Sequence, residues 1–155
     1  FAAAMPWLTW QASDRAEQLP GIRAWLDEAA LPNTPAPLAL DVLDRWPSLD
    51  VDAVFSANTL HIMGWTGVQA FFEGVGARLK HPAGMLVVYG PFNYGGTYTS
   101  ASNREFDAWL KARDPQSGIR DFEAVDALAQ KAGLRLQADV EMPANNRCLV
   151  WRRMA

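Results

Sequence analysis

The chain has 155 residues, half of them hydrophobic, which suits one domain with a sizeable core. Its 14 basic and 17 acidic side chains leave a formal net charge of −3, which excludes the basic footprint of a nucleic-acid-binding domain. A single cysteine, Cys148, excludes a disulfide framework and points to a reducing, cytoplasmic setting; the two isolated histidines, His61 and His81, form no metal cluster, and no apolar run approaches the ~18 residues of a membrane span.

The opening Phe1-Ala2-Ala3-Ala4-Met5 reads as the last turn of a helix that starts earlier, so the sequence is read as part of a longer chain. Leu8 to Ala12 is predicted as a short strand ending at Ser13-Asp14. Pro20 suits the first turn of a following helix, with Ile22, Trp25, Leu26 and Ala29 on its apolar stripe. Pro32, Pro35 and Pro37 break it, and Leu38 to Leu40 is the second strand, ending at Asp41. Ala53 to Ala57 is the third; its apolar run suits a buried parallel strand, and it leads into Asn58 and His61.

Thr66 is the predicted N-cap of the next helix, whose stripe is Val68, Phe71, Phe72, Val75 and Leu79. A turn containing His81 and Pro82 leads into Met85 to Tyr89, the strongest strand pattern in the chain. A glycine- and aromatic-rich loop follows, from Gly90 to Thr99. Ser102 and Glu105 have capping-box spacing before a helix with Phe106, Trp109 and Leu110 on one face, stopped by Asp114-Pro115. A further helix starts near Asp121, with Phe122, Val125, Leu128 and Ala129 inward and Gly133 at its stop. Leu134 to Met142 alternates as a half-buried strand, Pro143 to Asn146 turns, and Arg147 to Arg152 returns as its partner. Alternating strands and helices imply an α/β, mostly parallel sheet closed by an antiparallel hairpin, in one domain with an inserted segment at about 92–120.

Ligands bind beyond the carboxyl ends of strands in such sheets, which is where Asp14, Asp41, Asn58 and His61 fall. An acidic residue there suits the ribose hydroxyls of a nucleoside cofactor and equally suits plain turn chemistry. His61 is the natural candidate base, since imidazole titrates near neutrality. Asn58 stands at the same strand end, where it also suits a plain cap. Arg120 is placed to pin the inserted loop by an ion pair with Asp121, unless Asp121 caps the following helix. Cys148 is expected to be an inert buried thiol.

Several short words run through the chain in order: Asn58-Thr59-Leu60-His61-Ile62, Tyr89-Gly90-Pro91-Phe92, Tyr98-Thr99-Ser100-Ala101-Ser102-Asn103 with Phe106-Asp107, Gly118-Ile119-Arg120-Asp121 and Met142-Pro143-Ala144-Asn145-Asn146. On these words the chain resembles a small family of class I S-adenosylmethionine-dependent methyltransferase-like proteins, long catalogued as a domain of unknown function. The resemblance implies a Rossmann-like methyltransferase sheet, with a first strand and glycine-rich loop that precede the residues seen here. It implies S-adenosylmethionine as cofactor, with Asp14 on its ribose, Asp41 and Val42 at its adenine, and Asn58 beside it. It implies a small-molecule acceptor in a pocket drawn from Trp65, Tyr89, Phe92, Tyr98, Asn103, Arg120 and Asn145, with Tyr94 a further candidate. It implies neither a metal nor a covalent nucleophile; a homo-oligomer is left open.

Two other classes compete. One is a non-catalytic member that binds the cofactor or a partner without transfer. The other is a nicotinamide-dependent oxidoreductase, against which the chain lacks a Tyr-x-x-x-Lys pair.

Overall fold

The computed structural model describes residues 1–80 and 82–154, so the expected turn position of His81 lies outside the described residues. The chain divides into two compact units, Phe1–Pro47 and Ser48–Ala155.

In the first unit, strand β1 (Ser13–Asp14) pairs in parallel with β2 (Leu38–Ala39), and helix α1 (Leu19–Ala29) connects them. The strand expected at residues 8–12 forms later and is shorter. The reason is Asn33: its amide nitrogen donates to the carbonyls of Ala2 (3.0 Å) and Leu8 (2.9 Å), and its own carbonyl accepts from the Trp10 N–H (2.8 Å). Those backbone groups are satisfied outside any ladder. In α1, Leu19 is the buried anchor and Ile22 and Leu26 are half-buried; Trp25, expected on the stripe, is 74% exposed.

The second unit contains a four-stranded sheet, ordered β3 (Ala53–Ala57), β4 (Met85–Gly90), β8 (Asn146–Arg153), β7 (Leu134–Met142). β3 and β4 are parallel, and β4–β8 and β8–β7 are antiparallel, so the C-terminal hairpin is as expected. A bulge at Gln137 breaks the β7 alternation, which leaves Val140 45% exposed. Helix α2 (Trp65–Arg78) buries Val68, Phe71, Phe72, Val75 and the following Leu79, the stripe read from sequence. Its N-cap is Gly64 rather than Thr66. Phe72 meets Trp151 of β8 edge-on at 6.0 Å, and the Trp151 indole donates to Asp126 (2.9 Å), which joins the sheet to helix α4 (Phe122–Lys131). Half-exposed Cys148 on β8 is less buried than expected.

Between β4 and α4 the chain forms a short strand β5 (Phe92–Asn93), helix α3 (Ala101–Arg113) and strand β6 (Arg120–Asp121), which pairs in parallel with β5. The N-cap of α3 is Ser100, whose hydroxyl accepts the Asn103 N–H at 3.1 Å; the Ser102–Glu105 box is not the cap. Asp121 precedes α4 in the N-cap position without a side-chain bond.

Candidate acceptor site

Because β3 and β4 run in parallel, they end at the same edge of the sheet. Asn58 directly follows β3 with φ +55°, a left-handed conformation that asparagine tolerates, and its N–H donates to the Tyr89 carbonyl (2.8 Å). The chain turns inward there, and His61 is only 6% exposed. Its imidazole meets Phe106 of α3 edge-on, with centroids 5.4 Å apart. A side chain at Gly90 would lie 3.6 Å from His61 Nδ1 and 3.9 Å from Asn58 Oδ1, so both polar groups converge over that glycine. Burial holds the His61 imidazole below the usual histidine range, and the neighbouring Arg120 cation lowers it further. It is therefore a neutral proton acceptor at neutral pH.

The segment carrying His61 is not regular structure, and it is fastened to the α3–β6 connection. The Gly118 N–H donates to the His61 carbonyl (2.9 Å), and the Ser117 hydroxyl donates to the Ile62 carbonyl (3.3 Å). Arg120 donates to the carbonyls of Leu60 (3.1 Å), Gln116 (2.8 Å) and Met63. It pins the loop through carbonyls, not through the ion pair with Asp121 expected from sequence. Behind it, buried Asp107 accepts from the Ile119 N–H (2.7 Å), the Tyr98 hydroxyl (2.6 Å) and Lys111 (2.6 Å). Burial alone pushes the Asp107 carboxyl up, but the three hydrogen bonds and the Lys111 charge outweigh it, and the group stays below its ordinary value.

An open cleft of about 620 Å³ lies in front of His61. Of the residues named from sequence, Asn58, His61, Asn103 and Asn145 line it. The Asn103 amide donates to Thr99 Oγ1 (2.9 Å) and the Asn145 carbonyl (3.1 Å), and Asn145 donates to Ser102 Oγ (3.1 Å). These bonds tie α3 to the hairpin turn, where Ala144 and Asn145 both have positive φ.

Five expected pocket residues and the further candidate Tyr94 are not among those lining the cleft. Phe92 is buried in the core, and Tyr98 is committed to Asp107. The Tyr89 hydroxyl accepts from Asn146 (3.1 Å), and Trp65 lies beneath the Arg120 guanidinium at 5.9 Å. Arg120 is spent on the carbonyls. Tyr94 donates to Asp139 (2.7 Å), which also takes Arg147 (2.7 Å), away from the cleft lining. The cleft adds Ile62, Phe106, Trp109 and Arg113, which sequence reasoning had not placed there. Only the repeat of Phe106, Trp109 and Arg113 along one face of α3 pointed to a shared surface.

The first unit carries the remaining named residues. Asp14 ends β1 and Asp41 lies two residues past the end of β2, so both carboxylates sit at one edge of a parallel pair. One oxygen of each accepts a nearby backbone N–H, from Arg15 (2.7 Å) and Leu43 (3.0 Å). Among the described residues the other oxygen of each has no protein donor, so each carboxylate keeps an acceptor free. Val42 is half-buried, and its carbonyl accepts from Trp46 (3.3 Å). Among the described residues, no helix is long and apolar enough to cross a membrane and no cluster of ligating side chains could hold a metal ion.

A family model described as "Protein of unknown function (DUF938)" matches residues 1–153. The chain belongs to that family. This DUF938 chain also superposes on solved methyltransferases. An O-methyltransferase family protein from Burkholderia thailandensis matches with TM-score 0.87 and 16% identity, covering 99% of this chain and 46% of that one. The S-adenosylmethionine-dependent methyltransferase SibL gives 0.80 and 20%, covering 99% and 46%. An O-methyltransferase family 2 protein from Planctomyces limnophilus, in complex with apigenin, gives 0.81 and 14%, covering 99% and 45%. The DUF938 chain thus has the fold of S-adenosylmethionine-dependent O-methyltransferases, and it spans less than half the length of these structures.

Proposed function

We propose that this protein is an S-adenosylmethionine-dependent methyltransferase acting on a small-molecule acceptor, with the cleft in front of His61 as the acceptor site. The observation that carries this reading is the convergence of the buried, neutral His61 imidazole and the Asn58 amide over Gly90 at the carboxyl ends of β3 and β4. When bound, S-adenosylmethionine supplies an electrophilic methyl group on a sulfonium. Asp14 holds its ribose hydroxyls, and Asp41 and Val42 flank its adenine. These cofactor roles rest on the family resemblance and on the free carboxylate oxygens. His61 takes the acceptor's proton, and Asn58, Asn103 and Asn145 border the acceptor. A general base in this position contributes about 10²–10⁴ in rate.

Calorimetry with S-adenosylmethionine and with NAD in parallel tests the cofactor. Transfer of isotopically labelled methyl into a small-molecule extract tests the reaction. Binding of S-adenosylmethionine, label in low-mass products and a loss of about 10²–10⁴ in rate for His61→Gln at unchanged cofactor affinity are expected. Binding of NAD alone would reject the reading in favour of an oxidoreductase. Cofactor binding without any transfer would favour a non-catalytic member. Full turnover in His61→Gln would remove the base while leaving the methyltransferase.

A further inference from the structure

We infer that the acceptor is a planar hydroxyaromatic acid, bound with its hydroxyl at His61 and its carboxylate at Arg113. This rests on the methyl-transfer reading of the same cleft and adds the acceptor's chemical class.

The inference starts from the face of α3. Phe106, Trp109 and Arg113 follow one another at helical spacing and all line the cleft. Phe106 touches the His61 ring, and its own ring lies nearly parallel to Trp109 (18°) with centroids 5.8 Å apart. That makes an aromatic shelf leading away from the base. Trp109 is 51% exposed and Ile62 56% exposed, so the shelf is open to a ligand. Flat apolar surface at a cleft of this kind favours a flat apolar ligand body.

Charge selects further. Among the described residues no Asp or Glu lines the cleft, and Arg113 is its one ionised side chain. Among the described residues the Arg113 guanidinium has no hydrogen-bond or ion-pair partner; it lies 4.5 Å over the Trp109 ring. A guanidinium with its donors free, held over an indole, presents a fork that matches a carboxylate. Lys111, also on α3, is held by Asp107, and Arg120 by loop carbonyls. An amine acceptor would meet only the Arg113 cation and no counter-charge. The spacing sets the size: from Phe106, at the base, to Arg113 is two turns, roughly 10 Å of helix axis. A bicyclic ring system bearing a hydroxyl at one end and a carboxylate at the other spans that interval once the arginine folds back over Trp109.

Titration calorimetry without cofactor tests this on binding alone, using three probes: 6-hydroxy-2-naphthoate, 2-naphthol, which lacks the carboxylate, and the decahydro analogue of the first, which lacks the flat rings. The hydroxynaphthoate should bind at least tenfold more tightly than either of the others. Arg113→Gln should abolish its advantage over naphthol, and Trp109→Leu its advantage over the saturated acid; both positions are on the solvent side of α3, and circular dichroism checks the fold of each variant. Equal affinities, no binding of any probe, or a preference that survives Arg113→Gln would overturn the inference. Because turnover is not measured, its failure is separable from that of the methyl-transfer reading: binding of S-adenosylmethionine with loss of the carboxylate preference sinks only the acceptor class, while the preference without any transfer sinks only the reaction.

Discussion

The Asp107 carboxylate accepts the Ile119 N–H at 2.7 Å, and the next residue, Arg120, donates to the carbonyl of Leu60. A buried acid on a helix thus sets the position of the loop that holds His61, without touching the histidine.

Asp107→Asn tests that relay. The amide keeps a carbonyl oxygen for Ile119 but loses the charge-assisted bond to Lys111, which is itself half exposed and can turn to water. A loss of about 1.5–3 kcal/mol, the range for hydrogen bonds to charged groups, is expected from urea unfolding. Unchanged stability would show that Asp107 carries no structural role.

Two glycines should behave oppositely. A Cβ at Gly118 would lie 3.0 Å from Asp107 Oδ1 and 3.0 Å from the Lys111 side chain, at φ +156°. Gly118→Ala should cost about 1–3 kcal/mol, the usual range for overpacking, read as a lowered unfolding midpoint. At Gly90 the nearest atom would be 3.6 Å away, an ordinary contact. Gly90→Ala should therefore unfold like the parent while filling the space between His61 and Asn58, and its defect should appear in turnover.

The pH dependence follows from the lowered His61 value. The imidazole is below its ordinary value of about 6.5 in the folded protein and returns to it on unfolding, so protons bind preferentially to the unfolded chain. Its contribution to stability is complete above about pH 6.5 and is lost as pH falls through the folded-state value. Activity should likewise rise with pH through that lower value and then level off. A His61→Gln variant whose stability falls between pH 7 and 5 as steeply as the parent's would contradict the assignment.

At the other unit, Asp14→Ala should weaken S-adenosylmethionine binding by roughly 1.5–3 kcal/mol in calorimetry. Its side chain is exposed and bonded only to its neighbour's backbone, so folding should be spared. Unaltered affinity in a folded variant would reject the ribose role.

What the sequence made legible is what hydrophobic periodicity encodes. The buried stripe of α2 emerges residue for residue, the run at β4 is an interior strand of its sheet, and the alternation after Gly133 becomes the hairpin. The misreadings have local causes. Asn33 satisfies the Leu8 carbonyl and the Trp10 N–H, which a strand at residues 8–12 would have used. Ser100 and Ser102 are equally good caps on paper, and only the chain path shows which hydroxyl reaches the Asn103 N–H. In the site, Asn58 and His61 were readable because they follow a strand. Asp107 was not, since a carboxylate in a helix reads as a solvated residue until its three donors, one of them 12 positions along the chain, are brought to it. The aromatic residues were singled out as a type, but which of them reach the cleft depends on hydrogen bonds such as Tyr98 to Asp107 that no spacing reveals.

The fastening of residues 60–63 to residues 116–120 also decides how this region breathes. The Gly118 amide is protected by the His61 carbonyl and the Ile119 amide by Asp107, so the first exchanges when the histidine segment parts from the α3–β6 connection and the second when that connection parts from α3. In native-state hydrogen exchange the two amides should report these two openings, and a ligand that immobilises His61 should slow the first.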